Sequence, residues 1–150
     1  MTAPDVAIQI NGDGDLVIAR AEARTLAEAL GFSRTDATLI ATAVSEIGRN
    51  IIVHAGTGEL KMTPLYSDER YGLRVVASDN GPGIRNPARA LEDGYAGQGG
   101  LGLGLPGVRR LVDEFAVDTR LDEGTTVTII KWRMRDELER IRQRRRKNAT

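Results

Sequence analysis

The chain contains no cysteine. That excludes disulfides, a thiol nucleophile and thiolate metal ligands, and it suits a reducing compartment. Aromatic residues make up only 4% of the sequence, which leaves little for stacking on nucleic-acid bases. No apolar run approaches the roughly 18–20 residues of a membrane span. The opening MTAPDVAIQINGDG has no basic stretch followed by a long apolar one, so no signal peptide is expected. Neither a membrane partner nor a nucleic-acid partner is expected, and the location that follows is cytoplasmic.

What remains is an ordinary globular composition, 41% apolar and 28% charged in 150 residues, enough for one domain with its own core. The net charge of zero conceals an asymmetry. Residues 133–150 carry eight Lys/Arg against three Asp/Glu, a balance of +5, so the preceding 132 residues sum to −5. Glycine is uneven too. Seven of the seventeen glycines fall between Gly94 and Gly107, a density that suits neither helix nor strand.

Val6–Ile10 suits a strand, and NGDG (11–14) a turn. Asp15 then N-caps a helix that closes on Gly31. Ser33 and Asp36 form a capping-box pattern opening a second helix, about 34–54. ELKMTPLY and YGLRVVAS read as antiparallel strands joined at SDER. Residues 80–103 read as a long loop with one helical turn in PARALED. A loop of that length inside a domain calls for a function such as a lid. A third helix spans about 104–113, followed by a hairpin of EFAVDTRL and TTVTIIKW. Helices among antiparallel strands predict an α+β, two-layer sandwich, its mixed, mostly antiparallel sheet covered on one face by helices.

Four stretches carry chemistry. In SEIGRNI (45–51), Glu46 and Asn50 are four apart and neighbours on a helix. They lie at the margin of an apolar stripe formed by Ile40, Val44, Ile47 and Ile51. They are either an ordinary surface pair or oxygen donors facing a cleft, suited to Mg²⁺ and to general-base work. In DNGPGI (79–84), Asp79 shares a strand face with Leu73, Val75 and Ala77. A carboxylate there needs a donor, which is either its own Asn80-Gly81 turn or a ligand such as an exocyclic amine. Gly81 and Gly83 allow backbone to approach a flat ring. In GGLGLGLPGVRRL (99–111), glycines run into a helix N-terminus, which is either a linker or a phosphate cradle. It is neither a dinucleotide fingerprint nor a P-loop. DEGTTVTI (122–129) is a turn into a strand.

In this order, Glu-x-x-x-Asn, Asp-x-Gly-x-Gly, Gly-x-Gly-x-Gly and Gly-Thr resemble the nucleotide-binding fold of gyrase, Hsp90, histidine kinases and MutL, over about residues 6–132. ATAVSEIGRNI, DNGPGI, LEDGYAGQGGLGLGLPGVRRLVDEF and GTTVTIIKW are most similar to the RsbT-type serine/threonine switch kinases of bacterial stress signalling. The resemblance implies a kinase domain over 1–132 and a basic tail over 133–150. It implies ATP and Mg²⁺ as cofactors. Asp79 would accept a hydrogen bond from the adenine amino group, with Gly81, Gly83 and Ile84 around the base. Thr125 or Thr126 would help hold adenine. Asn50 would ligate Mg²⁺, and Glu46 would orient or deprotonate the attacking hydroxyl. The backbone of Gly99, Gly100, Leu101, Gly102, Leu103, Gly104 and Leu105 would cradle the phosphates, with Arg85, Arg89 and Arg109 as candidates for added positive charge. The implied substrates are STAS-domain proteins of the RsbS and RsbR type in a stressosome, and the implied downstream partner is a phosphatase of the RsbU type. An anti-sigma factor or nucleotide-dependent binding module of the same fold is the alternative.

Three features stay outside that pattern. His54, on the apolar side of its helix, reads as a packed, hydrogen-bonded side chain. Trp132 reads as core or sheet edge. The tail reads as a solvated helix or frayed end with a thin stripe of Leu138 and Ile141, or else as a contact for an acidic partner or nucleic acid.

Overall fold

A computed structural model describes residues 5–92 and 104–148. In chain order the elements are β1 (Val6–Ile10), α1 (Asp13–Ala29), α2 (Arg34–Ala55), β2 (Gly58–Tyr66), β3 (Arg70–Asp79), the single turn α3 (Pro87–Ala90), α4 (Gly104–Leu111), β4 (Glu114–Arg120), β5 (Gly124–Met134) and α5 (Glu137–Asn148). The five strands form one sheet in the order β1-β2-β3-β5-β4. This is the expected α/β sandwich. All four described pairings are antiparallel, in keeping with the mostly antiparallel sheet expected, with no parallel pairing among the described residues.

Local chemistry sets the helix ends. Asp15 does cap α1, from inside rather than from the N-cap position. Gly12 is the N-cap, and Asp15 Oδ2 accepts the N–H groups of Asn11 and Gly12 at 2.8 and 3.2 Å. Ser33 is the N-cap of α2, its Oγ accepting from Asp36 N at 3.1 Å, which satisfies one of the orphan donors of a first turn. Gly56, at φ +83°, ends α2, a conformation that favours glycine.

The apolar periods then decide the layers. Leu16, Ala19, Ala23 and Ala27 of α1, and Ile40, Val44, Ile47 and Ile51 of α2, are all buried. In the sheet, Leu60 and Met62 of β2, Leu73, Val75 and Ala77 of β3, and Val127 and Ile129 of β5 alternate inward and are buried with them. The register pairs Ala77 with Val127 and Asp79 with Thr125. The inward row of side chains on β3 therefore ends in Asp79 at one edge of the core.

Beyond Trp132 the chain stays in the sheet for two more residues, with Tyr71 opposite Arg133 and Arg70 opposite Met134. Trp132 lies over Gly72, where a Cβ would come within 2.5 Å of its ring. It stacks under Arg70, 3.8 Å from the ring centroid, and donates to the Glu114 carboxylate. The helix α5 is then held by ionic and polar contacts. Arg133 donates twice to Glu139, at 2.9 and 2.6 Å, and to Leu30 O at the end of α1 at 2.6 Å. Arg135 is buried and donates to Ser67 O at 3.0 Å and Glu139 O at 3.0 Å.

The Arg133 guanidinium beside Glu139, through its hydrogen bonds, holds that carboxyl below the usual value near 4.5. A carboxylate with a lowered folded-state pKa stabilises the fold above its unfolded pKa, and that contribution is lost as pH falls through the folded pKa. Glu139→Gln is therefore expected to cost about 1 kcal/mol at pH 7, allowing for partial solvent screening. The gap from wild type should close as pH drops through 4.5 and below. Urea midpoints of both proteins at pH 7 and pH 3.5 check this; a gap that is constant with pH contradicts it.

Candidate functional site

Where α2 passes the edge of the sheet, the helix, the end of β3, the start of β5 and the segment 83–90 enclose a cavity of about 620 Å³, a size that suits a small-molecule ligand. Asp79, Gly83, Ile84, Asn50, Thr125, Gly104 and Leu105 all line it. Three candidates do not. Glu46 is buried one turn before Asn50, behind the lining. Thr126 sits opposite Ser78 in the register, so it projects from the other face of the sheet. Gly81 lies behind Asp79, where a Cβ would come within 2.6 Å of the Ala55 Cβ. Gly99, Gly100, Leu101, Gly102 and Leu103 lie outside the described residues.

Asp79 is fixed by its neighbours. Its Oδ1 accepts from Gly81 N at 2.9 Å and from Thr125 N at 3.3 Å. Its Oδ2 accepts nothing from the other described residues, so one oxygen of a half-buried carboxylate is left for another donor. The self-capping turn and the ligand reading, posed as alternatives from sequence, are compatible: each uses a different oxygen.

Thr119 is a residue that the sequence reading missed. Its Oγ1 accepts from Ile84 N at 2.8 Å and lies 2.9 Å from Thr125 Oγ1. Together with Asp122 N donating to Pro82 O at 2.9 Å, it ties the DNGPGI loop to the β4–β5 hairpin. The signal available was weak: Thr119 is on the inward face of β4, opposite Thr125.

Gly124 makes this junction possible. Its φ is +121°, and a Cβ would fall 2.0 Å from Asp79 O. No rotamer relieves a clash with backbone, and the conformation is itself strained for other residues. Gly124→Ala is expected to cost about 2–3 kcal/mol, lowering Tm by roughly 5–10 °C. Gly14→Ala, in α1 with nothing within 4 Å, should leave Tm unchanged or raise it. Thermal unfolding of both checks the pair, and equal shifts contradict it.

The rim is basic. Arg85 and Arg89 line the cavity, whereas Arg109 turns away, its Nη2 donating to Leu91 O at 3.4 Å. His54 corrects the sequence reading: it is exposed and lines the cavity one turn beyond Asn50. The apolar side of α2 faces the core for most of its length, but its last turn has passed the sheet edge and faces the cavity instead. The i, i+4 spacing from Asn50 was the signal that could have found it.

For a metal, Asn50 offers a side-chain oxygen on the wall. Among the described residues no group of three or more His, Cys, Asp or Glu could form a protein cage. This donor set fits Mg²⁺, which keeps waters and takes substrate phosphates in place of a full set of protein ligands. The cavity thus joins a carboxylate, a carboxamide, two guanidinium groups and the N-terminus of α4, an arrangement suited to a ligand with a hydrogen-bond donor and several negative charges. Among the described residues, no helix is long and apolar enough to cross a membrane.

Residues 13–131 match the model of the histidine kinase-like ATPase domain. The chain is 42% identical over 125 residues to the serine/threonine-protein kinase RsbT of Bacillus subtilis (strain 168), covering 83% of this chain and 94% of that protein. A solved structure of the RsbU and RsbW domains of a Mycobacterium tuberculosis protein is similar in fold, with a TM-score of 0.59 at 20% identity. That match covers 88% of this chain and 33% of the other. The mycobacterial sensor histidine kinase MprB is similar at a TM-score of 0.51 and 18% identity, over 88% and 99%.

Proposed function

The chain belongs to the histidine kinase-like ATPase family and within it to the RsbT-type serine/threonine-protein kinases, and on that premise we propose that it transfers the γ-phosphate of ATP to a serine or threonine of a STAS-domain protein. The observation that carries the reading is Asp79, a half-buried carboxylate on the cavity wall with one oxygen held by Gly81 and Thr125 and the other left for an adenine amino group. Gly83 and Ile84 border the base, and Thr125 sits beside Asp79 to support it. Arg85, Arg89, Gly104 and Leu105 meet the phosphates, with Gly99 to Leu103 completing the cradle. Asn50 holds Mg²⁺, which when bound supplies charge neutralisation on the phosphates.

The chemistry needs positioning and a base, not a covalent nucleophile. The acceptor hydroxyl oxygen bonds to the γ-phosphorus, the bond from that phosphorus to the bridging oxygen breaks, and ADP leaves. Glu46 takes the hydroxyl proton. The protein acts in the cytoplasm, with RsbS- and RsbR-type STAS proteins as substrates in a stressosome, and then activates an RsbU-type phosphatase.

One observation favours a second reading. Glu46 is behind the cavity lining rather than on it, which suits a nucleotide-dependent binding module, such as an anti-sigma factor, with little transfer activity. Incubation with γ-labelled ATP separates the two. Label on a serine or threonine of a purified STAS protein supports the kinase. No labelled STAS protein together with tight binding of a sigma factor overturns it.

A further inference from the structure

The basic tail lies beyond the residues that match the family model, which end at 131, and nothing in the proposed reaction uses it. Its helix α5 is unusual in what holds it. None of its described side chains belongs to the buried core. It is fixed by the Arg133–Glu139 pair, by buried Arg135, by Asp136 Oδ1 accepting Glu139 N at 2.7 Å, and by Lys147 on Asp68 at 2.9 Å. A polar clamp thus holds a row of like charges in place. Arg140, Arg142, Arg144, Arg145 and Arg146 are all exposed. Arg140 and Arg144, and Arg142 and Arg146, are each four apart, a spacing at which like charges repel on a helix. An anionic surface laid against α5 relieves that repulsion.

The same end of the molecule is apolar as well as basic. Tyr66 at the end of β2, Met134 at the end of β5 and Leu138 in the first turn of α5 are 45%, 60% and 55% exposed. Tyrosine, methionine and arginine are the residue types enriched at protein interfaces. Asp68, Glu69 and Glu137, also exposed, interrupt the positive charge. A nucleic-acid backbone would need a continuous positive track. The nucleotide cavity is at the opposite end of the ten-residue strand β3, about 30 Å away.

We propose that α5 with the neighbouring ends of β2 and β5 is a docking surface for a partner protein that presents acidic side chains around an apolar one, and that it binds independently of the nucleotide site. The test is fluorescence anisotropy with labelled twenty-residue peptides, one of repeating Glu-Leu-Asp-Glu and one with serine in place of each leucine, and with a labelled twenty-nucleotide single-stranded DNA. The leucine peptide should bind the full chain several-fold more tightly than the serine peptide, and both more tightly than DNA at 150 mM salt. Reversal of Arg140, Arg144 and Arg145 to Glu should weaken peptide binding at least tenfold and leave ATP affinity unchanged. Leu138→Ser should erase the difference between the two peptides. Tighter binding to DNA, equal binding of the two peptides to wild type, or binding insensitive to the reversed arginines overturns the proposal.

Discussion

Asp79→Asn is expected to weaken ATP binding by about 10- to 100-fold while leaving the fold intact. The carboxamide oxygen of asparagine can still accept from Gly81 N and Thr125 N, the two contacts that hold the side chain in place. The other position changes from an acceptor to an NH₂ donor. A hydrogen bond to a charged group contributes about 1.5–3 kcal/mol, which converts to that range of affinity. Inosine triphosphate sharpens the test, because it carries an oxygen where ATP carries the amino group. Wild type should prefer ATP, and the variant should narrow or reverse the preference. Calorimetric titration of both nucleotides into both proteins gives the four affinities. If the substitution leaves the ATP affinity and the ATP preference unchanged, Asp79 does not read the base.

The second large effect is expected at Glu46. Glu46→Gln should lower phosphoryl transfer by about 10²–10⁴-fold, the usual contribution of a positioned general base, with ATP affinity within about twofold of wild type. Glu46 is buried on α2, one turn before Asn50, and accepts no hydrogen bond from another described residue. A structural role predicts the opposite pattern, a shift in Tm with the transfer rate retained. Single-turnover transfer and thermal unfolding of the same variant separate the two outcomes.

The fold was legible wherever one period dominated. The α2 stripe of Ile40, Val44, Ile47 and Ile51 and the inward alternation of β3 needed no tertiary information, because a 3.6-residue and a two-residue period cannot be confused over such lengths. What escaped was set by register and by the length of elements relative to one another. His54 follows the same stripe as Ile51, and only the position of the sheet edge tells that its turn faces a cavity. Thr119 gains its role from standing opposite Thr125 across a pairing, which no local pattern encodes. The capping role of Asp15 was readable, but its position was off by one turn, because an aspartate near a helix start can cap either forward from the N-cap or, as here, back from the third helical residue to the N–H groups of Asn11 and Gly12. Strand β5 runs past Trp132 because Arg133 is drawn in by Leu30 O and Glu139, partners more than a hundred residues apart in sequence. Asp79 was the easiest site residue to single out, since a charge at the end of an apolar inward row has to be answered by something.

The most direct measurement is a crystal structure of the protein with Mg²⁺ and a non-hydrolysable ATP analogue. On this reading the adenine amino group lies within hydrogen-bond distance of Asp79 Oδ2, with Asn50 on the metal and the phosphates toward Gly104. Nucleotide bound elsewhere, or in the cavity with its base away from Asp79, would contradict it.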